Sequence, residues 1–333
     1  MRAAESEIVF MKRALALAAR SRGHTRPNPP VGAVVVRDGA IVGEGRHVRC
    51  GADHAEAAAL KSSKRHGGAK GTTAYVTLEP CSKAGRVGAC CDALIAAGVS
   101  KVVWAIPDPN PKNAGRAAKV LRKAGIETEC WLRSCDPGKC ACVKEALRLI
   151  APFSKHVNTG LPYVTVKLAM SLDGKICDDS GDARWVSSEH ARKTMGRLRE
   201  QVDVIMVGAE TVRKDNPSLL SHGRRNDDLY RAVVTSSGRL PRKAQIFTDG
   251  ANDRTLVFKP DGRGLRGVME DLGAMGFMHV LCEGGLTLAR SMAKEGLVDE
   301  WITVLAPKVI GDGPIGSAKV IPQVSALCDF PNG

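Results

Sequence analysis

Apolar residues recur at helical spacing near the start of the chain, at Ile8, Met11, Ala14, Leu15 and Ala18, and predict an amphipathic helix near residues 6–21. The period then shortens. Apolar runs at Gly32–Arg37, Ala74–Thr77 and Lys101–Ala105 predict buried strands, with a helix starting around His54 between the first two. Helices alternating with strands in this way predict an α/β sheet with helices on both faces, three layers deep. Asp136-Pro137-Gly138 opens a short helical stretch to about Ile150, and Ala151–Pro162 reads as a connector. A second unit begins with the strand and turn of Tyr163–Ile176. Within it, His279–Cys282 reads as a buried strand whose Glu283-Gly284-Gly285 turn opens a helix over Leu286–Glu295. The expected organisation is therefore a domain over 1–150, a connector over 151–162 and a domain over 163–333.

Composition narrows the class. The 333 residues are 44% hydrophobic and 25% charged, enough for two soluble domains each burying its own core. No apolar run approaches the roughly 18 residues of a membrane span. The N-terminus carries Glu5 and Glu7 rather than a basic region before an apolar core, so no targeting segment is expected. The 11 cysteines, without an export signal, fit a reducing cytoplasm better than a disulfide framework. Cys130, Cys135, Cys140 and Cys142 crowd one region, but their spacings form no paired C-x-x-C, and a second metal site there is the weaker reading. The net charge of +14 raises the question of nucleic acid. Aromatic residues are only 4% and are not interleaved with the basic ones, which leaves no stacking platform for bases. Phosphorylated small molecules account for the basic balance equally well.

The chemistry lies in His54-Ala55-Glu56, Pro80-Cys81 and Cys90. One imidazole and two thiolates are three protein ligands for Zn²⁺, and they leave the fourth tetrahedral position open to water, whose pKa the metal lowers to about 7. Glu56 stands two residues beyond the histidine, where it can reach that water without ligating the metal and can carry a proton to a leaving amine. This is the H-x-E plus P-C logic of zinc deaminases. A closed structural site needs a fourth ligand, and Cys91 is the adjacent candidate. If Cys90 opens a helix, Cys91 is turned about 100° away from it and belongs to the core.

The loop from Cys81 to Cys90 is longer than the P-C-x-x-C of base and nucleoside deaminases. With Thr25-Arg26-Pro27-Asn28-Pro29-Pro30-Val31-Gly32 before it, and Cys91–Val99 and Asp108-Pro109-Asn110-Pro111 after it, the sequence resembles the bifunctional deaminase/reductase family of riboflavin biosynthesis. The resemblance continues through Tyr163–Ile176, Trp185, Arg199, Val207–Val212, Asp215-Asn216-Pro217, Glu283-Gly284-Gly285 and Leu305–Lys308. It implies a cytidine-deaminase-like three-layer α/β/α domain followed by a dihydrofolate-reductase-like α/β domain that binds NADPH. His54, Cys81 and Cys90 would hold zinc, and Glu56 would shuttle the proton. Asn28 and His47 would position the pyrimidine, with Lys83 and Arg86 near its phosphate. Trp185, Thr211, Asp215, Ser236, Gly284 and Gly285 would lie along NADPH, and Lys167, Arg199, Leu219 and Glu283 along the sugar substrate. A Gly-Gly helix start also suits a pyrophosphate on general grounds, although ordinary strand-to-helix turns look the same. The family assembles as dimers or larger, so a homo-oligomer is implied.

The implied activity is hydrolysis of the 2-amino group of 2,5-diamino-6-ribosylamino-4(3H)-pyrimidinone 5′-phosphate, then NADPH-dependent reduction of the ribosyl group. Two rivals are a nucleobase or nucleoside deaminase with an appended domain, and a zinc-stabilised scaffold without turnover. The second domain departs from the family pattern at Ala183, where a serine is usual, and at Leu220-Ser221-His222, where Thr-x-Arg is usual; the first departs at Lys83-Ala84, where a histidine pair is usual. The chain also stops at Gly333, soon after Ala306-Pro307-Lys308, where further strand is expected. Either Arg224 and Arg225 take over the phosphate, or the reductase is weakened while the deaminase persists.

Overall fold

The computed structural model describes residues 3–82, 88–133, 137–177, 189–221, 228–307 and 309–310. The chain divides into two compact units, Met1–Gly160 and Leu161–Gly333. The first contains α1 (Ala3–Ala19), β1 (Gly32–Arg37), β2 (Ala40–Arg46), α2 (Ala55–Ser63), β3 (Thr73–Leu78), α3 (Cys90–Ala96), β4 (Lys101–Ile106), α4 (Arg116–Lys123), β5 (Glu127–Cys130) and α5 (Pro137–Thr159). Its sheet order is β2-β1-β3-β4-β5. β1 pairs antiparallel with β2 and β3, whereas β3, β4 and β5 run parallel.

Alternation along β1 separates two cores, because successive side chains point to opposite faces. Val34 and Val36 join Met11, Leu15 and Ala18 of α1 and Ala146, Leu149 and Ile150 of α5. Ala33 and Val35 join Ala55 and Ala59 of α2, Leu94 of α3 and Leu121 of α4. The expected three layers are therefore present. β2 was not expected, since its Gly43 and Gly45 weaken a strand signal. Their absent side chains are what let α2 lie on the strand: a Cβ at Gly45 would stand 2.3 Å from both the Ala55 carbonyl oxygen and the Ala59 nitrogen.

The stretch expected as a connector, 151–162, requires correction. Pro152 lies inside α5, which continues to Thr159. Proline removes one helical hydrogen bond and usually ends a helix. Here the buried stripe Cys142, Val143, Ala146, Leu149, Ile150 and Phe153 carries the helix across it.

The second unit contains β6 (Tyr163–Ser171), α6 (Glu189–Leu198), β7 (Val204–Gly208), α7 (Ala209–Asp215), β8 (Tyr230–Val234), α8 (Gln245–Thr248), β9 (Thr255–Phe258), α9 (Gly264–Ala274), β10 (His279–Cys282), α10 (Leu286–Lys294) and β11 (Glu300–Ala306). The sheet order is β11-β6-β10-β7-β8-β9, and every described pairing is parallel. One register line runs through Trp301, Val166, Cys282, Met206, Ala232 and Leu256. From β7 the chain moves outward to β8 and β9, whereas from β10 it moves the other way to β11. The C-terminal ends of β7 and β10 thus flank a topological switch point, the place where open parallel sheets bind ligands.

Candidate active sites

In the first unit, three backbone features bring the expected metal ligands together. His54 caps the start of α2, Cys81 follows the end of β3, and Cys90 is the first residue of α3. The His54 Nδ1 lies 3.1 Å from Cys90 Sγ and 3.7 Å from Cys81 Sγ, and the three ligand atoms all lie within 4.8 Å of one another. Ligand atoms about 2.0–2.3 Å from a tetrahedral zinc lie about 3.3–3.8 Å apart, so the cluster already has the right size. Charge agrees with this. The Cys81 thiol is pulled down to about 4, chiefly by a hydrogen bond from Cys90 and also by His54, while Cys90 is pushed up by the same bond and by burial. The two sulfurs share a proton that a divalent cation would replace.

Glu56 lies in the first turn of α2 and is buried. Burial raises its pKa, and Cys81, His54 and Cys90 are near enough to perturb it further. Cys91, by contrast, is wholly buried among the core side chains, its sulfur 3.9 Å from the Pro80 carbonyl oxygen. Burial pushes its thiol up to about 12. The two adjacent cysteines thus have separate fates.

Asn28 and His47 meet beside this cluster. The His47 Nδ1 is 3.0 Å from the Asp53 carbonyl oxygen, which can only accept, so Nδ1 carries the proton. Burial lowers the His47 pKa and favours the neutral ring, whose Nε2 must then accept from Asn28 Nδ2 at 3.1 Å. Thr25 fixes the Asn28 backbone at both N–H and C=O, each at 2.8 Å. The Asn28 Oδ1 is left without a partner among the described residues. Lys83 and Arg86 lie outside the described residues.

In the second unit the expected residues gather at the C-terminal ends of the parallel strands. Arg199 donates from Nε and Nη2 to both Glu283 oxygens at 3.0 and 2.7 Å, and from Nη1 to the Leu220 carbonyl at 2.9 Å. Lys167 stands on β6 one step beyond the register line, and burial lowers its pKa while Glu283 opposes that and Arg199 adds to it. Leu219, buried with φ +55°, sits in a segment pinned on both sides, because the buried Arg231 donates to the Ser218 carbonyl at 2.9 Å. Thr211 and Asp215 lie on α7 after β7, and the exposed Ser236 lies just beyond β8. A Cβ at Gly284 would stand 2.8 Å from Leu288 Cδ2 and 3.3 Å from the Gly208 nitrogen, so the backbones approach closely where β7 and β10 end side by side. Gly285 caps α10 with open space at its Cβ position. Open glycine backbone at the switch point suits a dinucleotide. Trp185, Ala183, His222, Arg224, Arg225 and Cys135 lie outside the described residues.

Sequence reasoning gave no role to Arg231, nor to Glu79, Asp108 and Asn113 near the zinc cluster. The Asp108-Pro109-Asn110-Pro111 motif was the signal for the last group, and an arginine within the apolar run of β8 was the signal for the first.

A His-Cys-Cys cluster with a buried glutamate on this sheet defines the class: a zinc-dependent deaminase domain, here followed by a second, parallel α/β domain. The profile of the cytidine and deoxycytidylate deaminase zinc-binding region matches residues 4–106, and that of the RibD C-terminal domain matches residues 162–322. The chain is 39% identical over 354 residues to riboflavin biosynthesis protein RibD of Escherichia coli (strain K12), covering 97% of this chain and 93% of that protein. It is 35% identical to RibD of Aquifex aeolicus (strain VF5), covering 91% and 88%. Among solved structures, Acinetobacter baumannii RibD is similar with a TM-score of 0.81 and 34% identity, covering 97% of this chain and 93% of that one. A Thermotoga maritima diaminohydroxyphosphoribosylaminopyrimidine deaminase/5-amino-6-(5-phosphoribosylamino)uracil reductase is similar with a TM-score of 0.84 and 31% identity, again covering 97% and 93%. The chain belongs to the RibD family and carries both its zinc-binding deaminase domain and its reductase domain. No helix among the described residues is long and apolar enough to cross a membrane.

Proposed function

We propose that the first domain hydrolyses the 2-amino group of 2,5-diamino-6-ribosylamino-4(3H)-pyrimidinone 5′-phosphate, and that the second reduces the ribosyl group of the product to ribityl with NADPH. The observation that carries the reading is the convergence of His54, Cys81 and Cys90 beside the buried Glu56. The Thermotoga maritima relative, named for this deaminase and this reductase, supports the substrate class.

Zinc held by His54, Cys81 and Cys90 would supply a water acidified to a pKa of about 7. Glu56 accepts the proton from the attacking water and returns it to the departing amine, a task that suits a carboxyl whose pKa burial has raised. Asn28, held by His47, presents Oδ1 to an N–H of the pyrimidine. Lys83 and Arg86 are assigned to the phosphate by family likeness. NADPH would supply the hydride, with Thr211, Asp215, Ser236, Trp185 and the Gly284-Gly285 turn along its site. Lys167 offers the substrate a cation that no described carboxylate pairs, and Arg199 orients Glu283 by occupying both of its oxygens.

The nine described cysteines are unbridged, which suits the cytoplasm as the compartment. Family likeness supports an assembly of two or more copies, which sedimentation checks. The central test is incubation of the purified protein with the diaminopyrimidine phosphate. Ammonia is expected with or without NADPH, and NADPH oxidation only once deamination has begun. Ammonia from cytidine but none from the diaminopyrimidine would overturn the reading.

A further inference from the structure

The Asp108-Pro109-Asn110-Pro111 segment and the residues after it form a loop between β4 and α4, on the same side of the sheet as Cys81. Glu79, two residues before Cys81, is buried, and its carboxylate accepts three backbone N–H groups, two from this loop and one from the first turn of α4. These come from Asp108 at 3.2 Å, Gly115 at 3.0 Å and Ala117 at 3.1 Å. Ser82, the residue after Cys81, is tied to the same loop, its N–H and Oγ lying 3.0 and 3.2 Å from Asn113 Oδ1. Asn113 is itself held, since its Nδ2 donates to Asp108 Oδ2 at 2.8 Å while Asp108 Oδ1 accepts from Asn110 N at 2.8 Å.

The orientation of the Asn113 amide follows from its partners. The carboxylate of Asp108 can only accept and the Ser82 N–H can only donate, so the nitrogen must face Asp108 and the oxygen Ser82. No other side chain of this size offers both a donor and an acceptor in that geometry. The zinc-ligand segment 80–81 is therefore bracketed by two residues, Glu79 and Ser82, anchored to one loop through different atoms.

We infer that Asn113 is a positioning residue that clamps the Cys81 turn, so that the Cys81 thiolate is already placed before a metal arrives. The inference rests on the reading of His54, Cys81 and Cys90 as the zinc ligands. A preplaced ligand needs no ordering on binding, and outer partners of metal ligands typically contribute about 10–100-fold in metal affinity. The loop that fixes Cys81 lies on the far side of the turn from α3, which holds the same residue through Cys91 N to the Cys81 carbonyl at 3.1 Å. The peptide between Cys81 and Ser82 is thus held from both directions, its N–H by Asn113 and its C=O by Cys91.

The test uses the full chain and zinc itself, titrated against a chelator of known affinity. Asn113→Leu, which removes both donor and acceptor, is expected to bind zinc about 10–100-fold more weakly than the parent. Ser82→Ala keeps the backbone N–H bond and should lose only a few-fold. Ammonia release by Asn113→Leu should return to the parent rate per bound zinc when free zinc is raised to saturation, which a general loss of structure would not allow. Parent-like zinc affinity in Asn113→Leu overturns the inference, as does activity that stays lost at saturating zinc. Should Asn113→Leu not fold, Asn113→Asp keeps the volume and an acceptor but sets a carboxylate against Asp108; weakened zinc binding is again expected, and parent-like binding again overturns the clamp. If the parent itself binds no zinc, it is the ligand reading that fails.

Discussion

The deaminase and reductase sites obey the same topological logic but differ in how closely they are drawn together. Both lie where parallel strands end. The zinc cluster needs three atoms from a helix start, a strand end and the next helix start, all within 4.8 Å. The reductase candidates are spread along one edge of a six-stranded sheet, from Lys167 on β6 to Ser236 beyond β8. Charge is also handled differently. The metal site leaves thiol charge to be neutralised by a cation, whereas Arg199 and Glu283 already neutralise one another through a two-pronged pair. A compact metal site thus waits for its cofactor, while the reductase candidates settle part of their electrostatics within the chain.

The sharpest way to separate the two sites is Glu56→Gln. Ammonia release should fall about 10²–10⁴-fold, because an amide cannot accept the proton, while zinc content and NADPH oxidation with deaminated substrate stay unchanged. Equal loss of both activities would show that the sites are coupled. At the metal itself, Cys90→Ser should empty the site and Cys91→Ser should leave zinc stoichiometric by elemental analysis. A site emptied by the second change would show the ligand assignment to be wrong.

Next in size is the reductase pair. Arg199→Met strands the largely buried Glu283 charge and should destabilise the chain by about 3–5 kcal/mol in denaturant titrations. Adding Glu283→Leu should restore part of that, and no recovery would mean that the pair does not act as a unit. Gly45→Ala should destabilise the deaminase domain by about 1–3 kcal/mol, since its Cβ would force α2 from β2. An unchanged melting temperature would show that the helix gives way freely.

The smallest effect concerns acid. The Asp249 carboxyl is held below its ordinary 3.8 by hydrogen bonds from the buried Arg231. Its folded value is the lower one, so this contribution is fully present above 3.8 and is lost as pH falls through the folded value. Melting curves of the parent should weaken in that acid window, and Asp249→Asn should remove this part of the pH dependence. An identical acid slope in both would exclude the pair as its source.

How far the sequence was legible follows the same contrast. His54, Glu56, Cys81 and Cys90 were readable because their chemistry is local, with each residue type carrying its role and the spacing carrying the geometry. The reductase residues came from family likeness, because no spacing links Lys167 to Glu283 until β6 and β10 pair. β2 was hidden by Gly43 and Gly45, whose value lies in the helix that packs on them. The end of α5 was placed at about Ile150, ahead of Pro152, since the proline is local and the stripe that carries the helix on to Thr159 is tertiary. Asn113 and Arg231 act on groups of distant segments, so the Asp108–Pro111 motif and an arginine within an apolar strand mark them without giving their partners.

The position of β6 bears on synthesis at the ribosome. It is the first strand of its domain to emerge, yet both its neighbours, β10 and β11, are made more than a hundred residues later. At about 5–20 residues per second, Tyr163–Ser171 waits roughly 6–20 s for its first partner. The deaminase domain, complete by Gly160, can close as soon as it clears the exit tunnel. The nascent chain therefore carries a folded enzyme while its next strand is still an unpaired apolar ribbon, the stage at which a chaperone would find most to hold.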